Sequence, residues 1–226
     1  MLLDFATKRR ATKNYNPDMF LKKEDLDYIF KVINTSPTSA GLEHWRVLCF
    51  RNKDKKNEIL SGINEGNKKK FLDSSDALLF YVKKEEWFKN ISNEDFYKIA
   101  KRNIEQVNQT FHKEITEDQI QTFMKRIRVD DHANNDHNLT EWSKRQAYIA
   151  AGYAFLAAKE INVESTPMEG FNEKILNKLL LEKGYINNLE TIALIVLLGY
   201  SDGVSIPYFG KEQVRESIDK KFKIIY

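Results

Sequence analysis

The amino-acid sequence predicts an α+β fold, a mixed sheet sandwiched by helices. The candidate strands are few and widely separated by helical stretches, which is not the regular alternation of a doubly wound sheet. Two of them, Ala77–Val82 and Thr191–Tyr200, have uninterrupted apolar centres and read as buried on both faces. No G-x-G-x-x-G and no G-x-x-x-x-G-K-[ST] segment occurs, so neither standard nucleotide loop is present.

In chain order, residues 2–9 read as a short helix ending in the basic cluster Lys8, Arg9, Arg10. A loop with Asn16-Pro17 follows. Glu24 to Asn34 is an amphipathic helix, because Leu26, Ile29, Phe30 and Ile33 recur at i, i+3, i+4 and i+7. Ser36-Pro37-Thr38-Ser39 breaks it. Trp45 to Phe50 reads as a strand, Lys53 to Ser61 as a short helix and Ala77 to Val82 as a strand. A helical excursion occupies residues 85–138, with its charged, Gln-rich and weakly amphipathic part from Glu94 to Arg128 and a polar loop from Asp130 to Asn138. Its weak periodicity suggests a cap rather than core, with Phe96, Tyr97, Phe111 and Phe123 as aromatics to line a site. Helix Glu141 to Ile161 is crowded with small residues (Ala147, Ala150, Ala151, Gly152, Ala154, Ala157, Ala158), so it is expected to be central and covered on more than one side. Thr166 to Phe171 reads as a turn-rich loop, Asn172 to Leu181 as a helix and Thr191 to Tyr200 as a strand. The tail is irregular until Phe222 to Tyr226, a short strand with no obvious hairpin partner in its own chain. With no internal repeat and no low-complexity linker, residues 1–226 are expected to form one domain.

Composition narrows the function. The chain has 226 residues, 42% hydrophobic and 31% charged, the balance of a globular protein that can bury a core. The net charge of +3 comes from 36 basic and 33 acidic residues, too even for a nucleic-acid-binding surface. The local clusters Lys8–Lys13 and Lys68–Lys70 suit a small anion such as a phosphate, or a solvated face. The longest apolar run, Ile192 to Leu198, is too short to span a bilayer, and acid and base arrive too early for a secretory leader. A single cysteine, Cys49, in an apolar run reads as a core thiol and suits a reducing compartment, so a cytoplasmic location is expected. Asp130, Asp131, His132, Asp136 and His137 lack a rigid metal-ligand spacing and read as a solvated loop.

The remaining segments are informative only together: Lys8-Arg9-Arg10-Ala11-Thr12-Lys13, then Ser36-Pro37-Thr38-Ser39 through Trp45, then Asn67-Lys68-Lys69-Lys70, then Pro167-Met168-Glu169-Gly170-Phe171, then Gly199-Tyr200. In this order and spacing they resemble the nitroreductase family, in its oxygen-insensitive nitroreductase and NAD(P)H:flavin reductase branch. The resemblance implies a three-layer α-β-α sandwich whose mixed sheet is mainly antiparallel, with the excursion lying over the active site. It implies FMN as cofactor, NADH or NADPH as electron donor, and a homodimer with FMN at the interface.

Carried over residue by residue, the resemblance puts Arg9 on the FMN phosphate, with Arg10 and Ala11 beside it, and Lys13 at the flavin N1/O2 edge. Asn67 and Lys70 would bond the pyrimidine. Pro167, Met168, Glu169 and Gly170 would pack under the ring system, a backbone N–H reaching N5. Pro37, Thr38 and Ser39 would meet the FMN held mainly by the partner subunit, and Lys211 or Arg215 would complete the phosphate site. The sequence departs from the family pattern at three places. Ala11 replaces a small hydroxyl residue, Gly41 and Glu43-His44 replace polar rim residues, and the late phosphate clamp is widely spaced. The expected activity is ping-pong hydride transfer from NAD(P)H through flavin N5 to a small acceptor (a nitroaromatic, quinone or flavin), with no catalytic side chain and no metal. The rival is a flavin carrier or sensor on the same fold, without turnover.

Overall fold

In a computed structural model, residues 2–112, 114–129, 138–203 and 215–225 are described. The sheet has four strands, β1 (Trp45–Phe50), β2 (Asp76–Lys83), β3 (Glu164–Met168) and β4 (Glu190–Gly199), in spatial order β1-β2-β4-β3. All three pairings are antiparallel, and the mixed character is confined to a parallel bridge between Ala11 and Ser165 at the β3 edge. Phe80 lies opposite Val47 on one side and Leu194 on the other, and a bulge at Ala193 offsets the lower half of the β2–β4 pairing.

Strand alternation sends the two sets of side chains into separate cores. Leu78, Phe80, Val82, Leu194, Val196 and Leu198 face α2 (Lys23–Asn34) and α8 (Leu139–Glu160). Ala77, Leu79, Ile195 and Leu197 face α4 (Glu65–Asp73) and α9 (Glu173–Glu182), where Phe71, Leu176 and Leu180 meet them. Helices on both faces of one sheet make the expected three-layer sandwich. Ala147, Ala150, Ala151, Ala154 and Ala158 of α8 are buried against the sheet and α2, as their size predicts.

Helix starts follow local chemistry: Asn52, Asn93, Asn138 and Asn172 each cap a helix, their side-chain oxygens accepting the first free backbone N–H groups. Besides α1 (Leu2–Lys8), the chain forms α3 (Lys53–Asn57), shorter than expected because a 3₁₀ turn takes over at Leu60–Gly62.

One helix was not anticipated, and two expectations need correction. Asn67–Lys70 lies within helix α4, which the charged sequence concealed. Thr166-Pro167-Met168 belongs to strand β3 rather than a turn; the proline is tolerated because β3 is an edge strand and Pro167 need donate no ladder hydrogen bond. The excursion is three helices, α5 (Glu85–Lys89), α6 (Glu94–Thr110) and α7 (Glu117–Val129), and it has a core of its own. Trp87, Phe88, Phe96, Ala100, Ile120 and Met124 pack with Leu42 and Trp142, so Phe96 is interior, Phe123 partly so, and Phe111 is exposed. Arg128 closes this unit, its guanidinium over the Phe96 ring and its Nε donating to the Phe88 carbonyl at 2.8 Å. After α10 (Ile218–Lys221), Phe222–Ile225 form no strand within this chain and are exposed.

One buried cation offers a pH test. Lys56 is 1% exposed and its ammonium donates to the Ser74 carbonyl, to Ser74 Oγ at 3.1 Å and to the Ser75 carbonyl at 3.4 Å. Burial lowers its pKa to about 8, although Asp76, itself paired with Arg51 at 2.7 Å, opposes the shift. The folded pKa lies below the unfolded one, so between pH 8 and about 10.4 the unfolded chain holds more protons and stability rises with pH. Relative to Lys56→Met, the wild-type protein should gain on the order of 3 kcal/mol across that window. Urea melts of both proteins at pH 7.5 and 10 check this; a constant difference would contradict it. The Cys49 thiol nearby donates to Asp76 at 3.5 Å and is pushed up to about 12 by burial, an inert thiol.

Candidate functional site

The opening segment is laid along β3. The Ala11–Ser165 bridge sets the register. Thr166 Oγ1 donates to the Thr12 carbonyl at 2.7 Å, and the buried Tyr15 hydroxyl donates to Thr166 Oγ1 at 2.9 Å. Thr12 Oγ1 donates to Glu164 at 3.3 Å. Thr12, Glu164 and Thr166 thus share one face. Alternation turns Ser165 and Pro167 to the opposite face, with Ala11 beside Ser165, and their β4 partners Leu198 and Val196 mark it as the face toward α8.

Upstream, Arg9 is held over the Phe155 ring of α8 at 5.5 Å. Burial lowers its pKa first, followed by the charges of Arg215 and Arg10, with Glu164 opposing. Three guanidinium groups therefore share one neighbourhood, an arrangement that favours a bound dianion. Arg215, one of the two expected clamp residues, is part of it; Lys211 lies outside the described residues, as does the Asp130–His137 loop.

Helix α4 explains the spacing of Asn67 and Lys70, which at i and i+3 share a helix face. Lys68 and Lys69 are committed to Glu65 and Asp73 at 2.6 and 2.5 Å. Among the described residues neither Lys70 nor Lys13 has a carboxylate partner. Burial and the facing charge of Lys13 pull the Lys70 pKa down. Two cations facing each other in this way suit a ligand edge that carries negative charge.

Asn67 meets the Pro167–Phe171 segment directly: its Nδ2 donates to the Gly170 carbonyl at 2.9 Å. A Cβ on Gly170 would lie 1.6 Å from that nitrogen, so only glycine allows this approach. Pro167 is exposed, whereas Met168 is buried in the second core and can offer only its backbone. Glu169 accepts from the Tyr148 hydroxyl of α8 at 2.7 Å; burial, and then this bond, raises the Tyr148 pKa. Both border a cleft of about 560 Å³ that Lys144, Arg145 and Phe171 also line.

Pro37, Thr38 and Ser39 stand on a separate loop. The Ser39 N–H donates to Gln146 of α8 at 2.8 Å, and Pro37 is exposed. Thr38 Oγ1 is buried with no hydrogen-bond partner among the described residues. The loop continues through Ala40 and Glu43 at φ 53° and 45°, strained for residues with a side chain. Helix α6 braces it: Asn103 Nδ2 donates to the Ala40 carbonyl at 3.1 Å and Arg102 to the Gly41 carbonyl at 3.3 Å. Sequence reasoning missed both braces, because they act on carbonyls far away in the chain. His44, expected at the rim, is buried between Phe88 and Trp142 with Nδ1 2.8 Å from Ser143 Oγ.

Among the described residues no group of three His, Cys, Asp or Glu side chains could hold a metal, and no helix is long and apolar enough to cross a membrane.

Comparison with known proteins gives a consistent result. A protein of Bacillus subtilis provisionally named NAD(P)H nitroreductase is 29% identical over 201 residues, 88% of each chain. One of the same provisional name from Staphylococcus saprophyticus is 26% identical over 220 residues, 96% of this chain and 94% of the other. A provisionally named nitroreductase from Exiguobacterium sibiricum, solved in complex with FMN, superposes with a TM-score of 0.75 at 15% identity, covering 100% of this chain and 97% of that one, which shows a shared fold. The family model described as the Nitroreductase family matches residues 6–200, and the chain belongs to that family.

Proposed function

We propose that this member of the nitroreductase family is an FMN-dependent NAD(P)H oxidoreductase, with residues 1–226 as one FMN-binding domain and α5–α7 as its cap. The observation that carries this reading is the convergence of Lys13 on Lys70 beside the Asn67–Gly170 contact. The residues fit the cofactor: a guanidinium trio for a phosphate, a cation pair for an electron-rich ring edge, and an amide side chain seated against Gly170 beside them. The solved relative from Exiguobacterium sibiricum, which holds FMN, supports the same choice. When bound, FMN would supply hydride transfer at N5, from NADH or NADPH and then to a small acceptor such as a nitroaromatic, quinone or flavin.

The chain's own residues would bind and orient. Arg9, Arg10 and Arg215, with Lys211, would hold the phosphate. Ala11 leaves room beside it. Asn67 and Lys70 would bond the pyrimidine, and Lys13 would hold positive charge at the N1/O2 edge. Pro167, Met168, Glu169 and Gly170 would form the floor, and Pro37, Thr38 and Ser39 would reach the partner's site. Such a division needs no catalytic acid or base.

We read the working unit as a homodimer in the cytoplasm. Tyr148 and Ile149 of α8 are exposed, and the tail presents Phe222, Ile224 and Ile225, 70%, 71% and 78% exposed, to solvent. The tail would add to an edge of the partner's sheet.

The test is optical. Purified protein should be yellow with non-covalent FMN, about one per chain, and should bleach on anaerobic addition of NADPH or NADH. Persistent yellow with both donors would favour a flavin carrier or sensor. A colourless protein that FMN does not reconstitute would exclude both.

A further inference from the structure

We infer that Ser165 is a phosphate-binding residue of the cofactor site, its hydroxyl serving in place of the one that Ala11 lacks. The assignment rests on the FMN reading above and goes beyond it, since nothing in the family motifs marks position 165.

Three observations place it there. The first is register. Ala11 and Ser165 are paired in the parallel bridge, so their side chains stand next to each other on the same face. The second is the company on that face. Thr12, Glu164 and Thr166 are bonded on the opposite side, which leaves Ala11, Ser165 and Pro167 in a row on the side of the sheet that carries α8, where Arg9 stands over the Phe155 ring. Position 165 lies at the arginine end of this row, because its bridge partner directly follows Arg9 and Arg10 in the chain. The third is an unused hydroxyl. Ser165 is 1% exposed, and its Oγ has no hydrogen-bond partner among the described residues.

Buried hydroxyls are ordinarily satisfied, and two threonine hydroxyls on the opposite face, at 12 and 166, are. An orphan at 165, beside an alanine and next to converging guanidinium groups, points to an acceptor that the folded chain does not itself supply. A phosphate oxygen is the acceptor that such surroundings favour.

The experiment compares FMN with riboflavin, which lacks the phosphate. Dissociation constants are measured by flavin fluorescence for the wild-type protein, Ser165→Ala and Ser165→Ala/Ala11→Ser. Ser165→Ala should weaken FMN about tenfold, equivalent to about 1.4 kcal/mol, and leave riboflavin unchanged. The double variant, with the hydroxyl moved across the bridge, should recover most of the FMN affinity. The apoprotein melting temperature of Ser165→Ala should not fall, since an unpartnered hydroxyl is all that is removed; a purely structural serine would lower it. Unchanged FMN affinity in Ser165→Ala, or equal loss for FMN and riboflavin, overturns the assignment while leaving the FMN reading intact. A wild-type protein that binds riboflavin and FMN equally well overturns the phosphate site, and one that binds neither overturns the FMN reading itself.

Discussion

Gly170→Ala is expected to weaken FMN binding by about tenfold to a hundredfold while the fold survives. The added Cβ would sit 1.6 Å from Asn67 Nδ2, so the amide must swing away and give up its 2.9 Å bond to the Gly170 carbonyl. On the proposed reading, displacing Asn67 would remove its hydrogen bond to the pyrimidine and leave a polar edge of the ring poorly matched, together about 1.4–2.8 kcal/mol. The backbone at 170 has room to stay where it is, because the atom in the way is the end of a side chain. Asn67→Ala should therefore bind FMN about as weakly as Gly170→Ala, and the double variant should be little worse than either single one, the signature of two positions acting through one contact. Titration of apoprotein with FMN for the three variants checks this. Wild-type affinity in Gly170→Ala would remove Asn67 from the site.

Lys13→Met should leave FMN bound but slow its reduction by NADPH by about one to two decades. A charge-assisted hydrogen bond contributes about 1.5–3 kcal/mol, and about 1.4 kcal/mol is one decade in rate. The effect belongs to hydride acceptance because negative charge builds at the N1/O2 edge only then, so a cation held there favours the product over the reactant. The midpoint potential should fall in the same variant, and Lys13→Arg should keep most of both. The neighbouring Lys70 provides a second check. Burial and then the charge of Lys13 depress its pKa, so in Lys13→Met that pKa should rise. Stopped-flow reduction under anaerobic conditions measures the rate; an unchanged rate would return Lys13 to the role of an ordinary surface charge.

How much of this was legible in the sequence differs from residue to residue. Strands β1, β2 and β4 announce themselves as apolar runs, and the alanines of α8 announce close packing. Strand β3 does not, because Pro167 carries the signal of a turn and only its edge position, a property of the assembled sheet, makes it acceptable. Helix α4 is hidden for another reason: of its nine residues only Phe71 is buried, so its helical period has no apolar stripe and rests on flanking ion pairs. The excursion looked like a surface cap because its apolar residues answer to one another across three helices rather than along one. At the site, Arg9, Lys13, Asn67, Lys70 and Gly170 could be named from their ordered motifs. Arg102, Asn103 and Ser165 could not, since each matters through a neighbour that only the fold supplies. His44 was expected at the rim because the family pattern has its rim residues there, whereas its Nδ1 meets Ser143 Oγ and two aromatic rings enclose it inside.

The strand order has a consequence for how the protein is made. Strand β4 stands between β2 and β3, yet it is translated after both, and Asp76 waits for Leu198 as its partner. At about 5–20 residues per second, the ribosome takes on the order of ten seconds to deliver β4 after β2 has emerged. Throughout that interval the β1–β2 pair carries Leu78, Phe80 and Val82 with one edge unpaired, and β3, once made, has only its bridge to Ala11. The nascent chain is therefore at its most adhesive just before β4 is synthesised. A stalled or truncated transcript lacking residues 190–199 would release a chain that no later event can complete, a natural client for chaperones that bind open apolar edges.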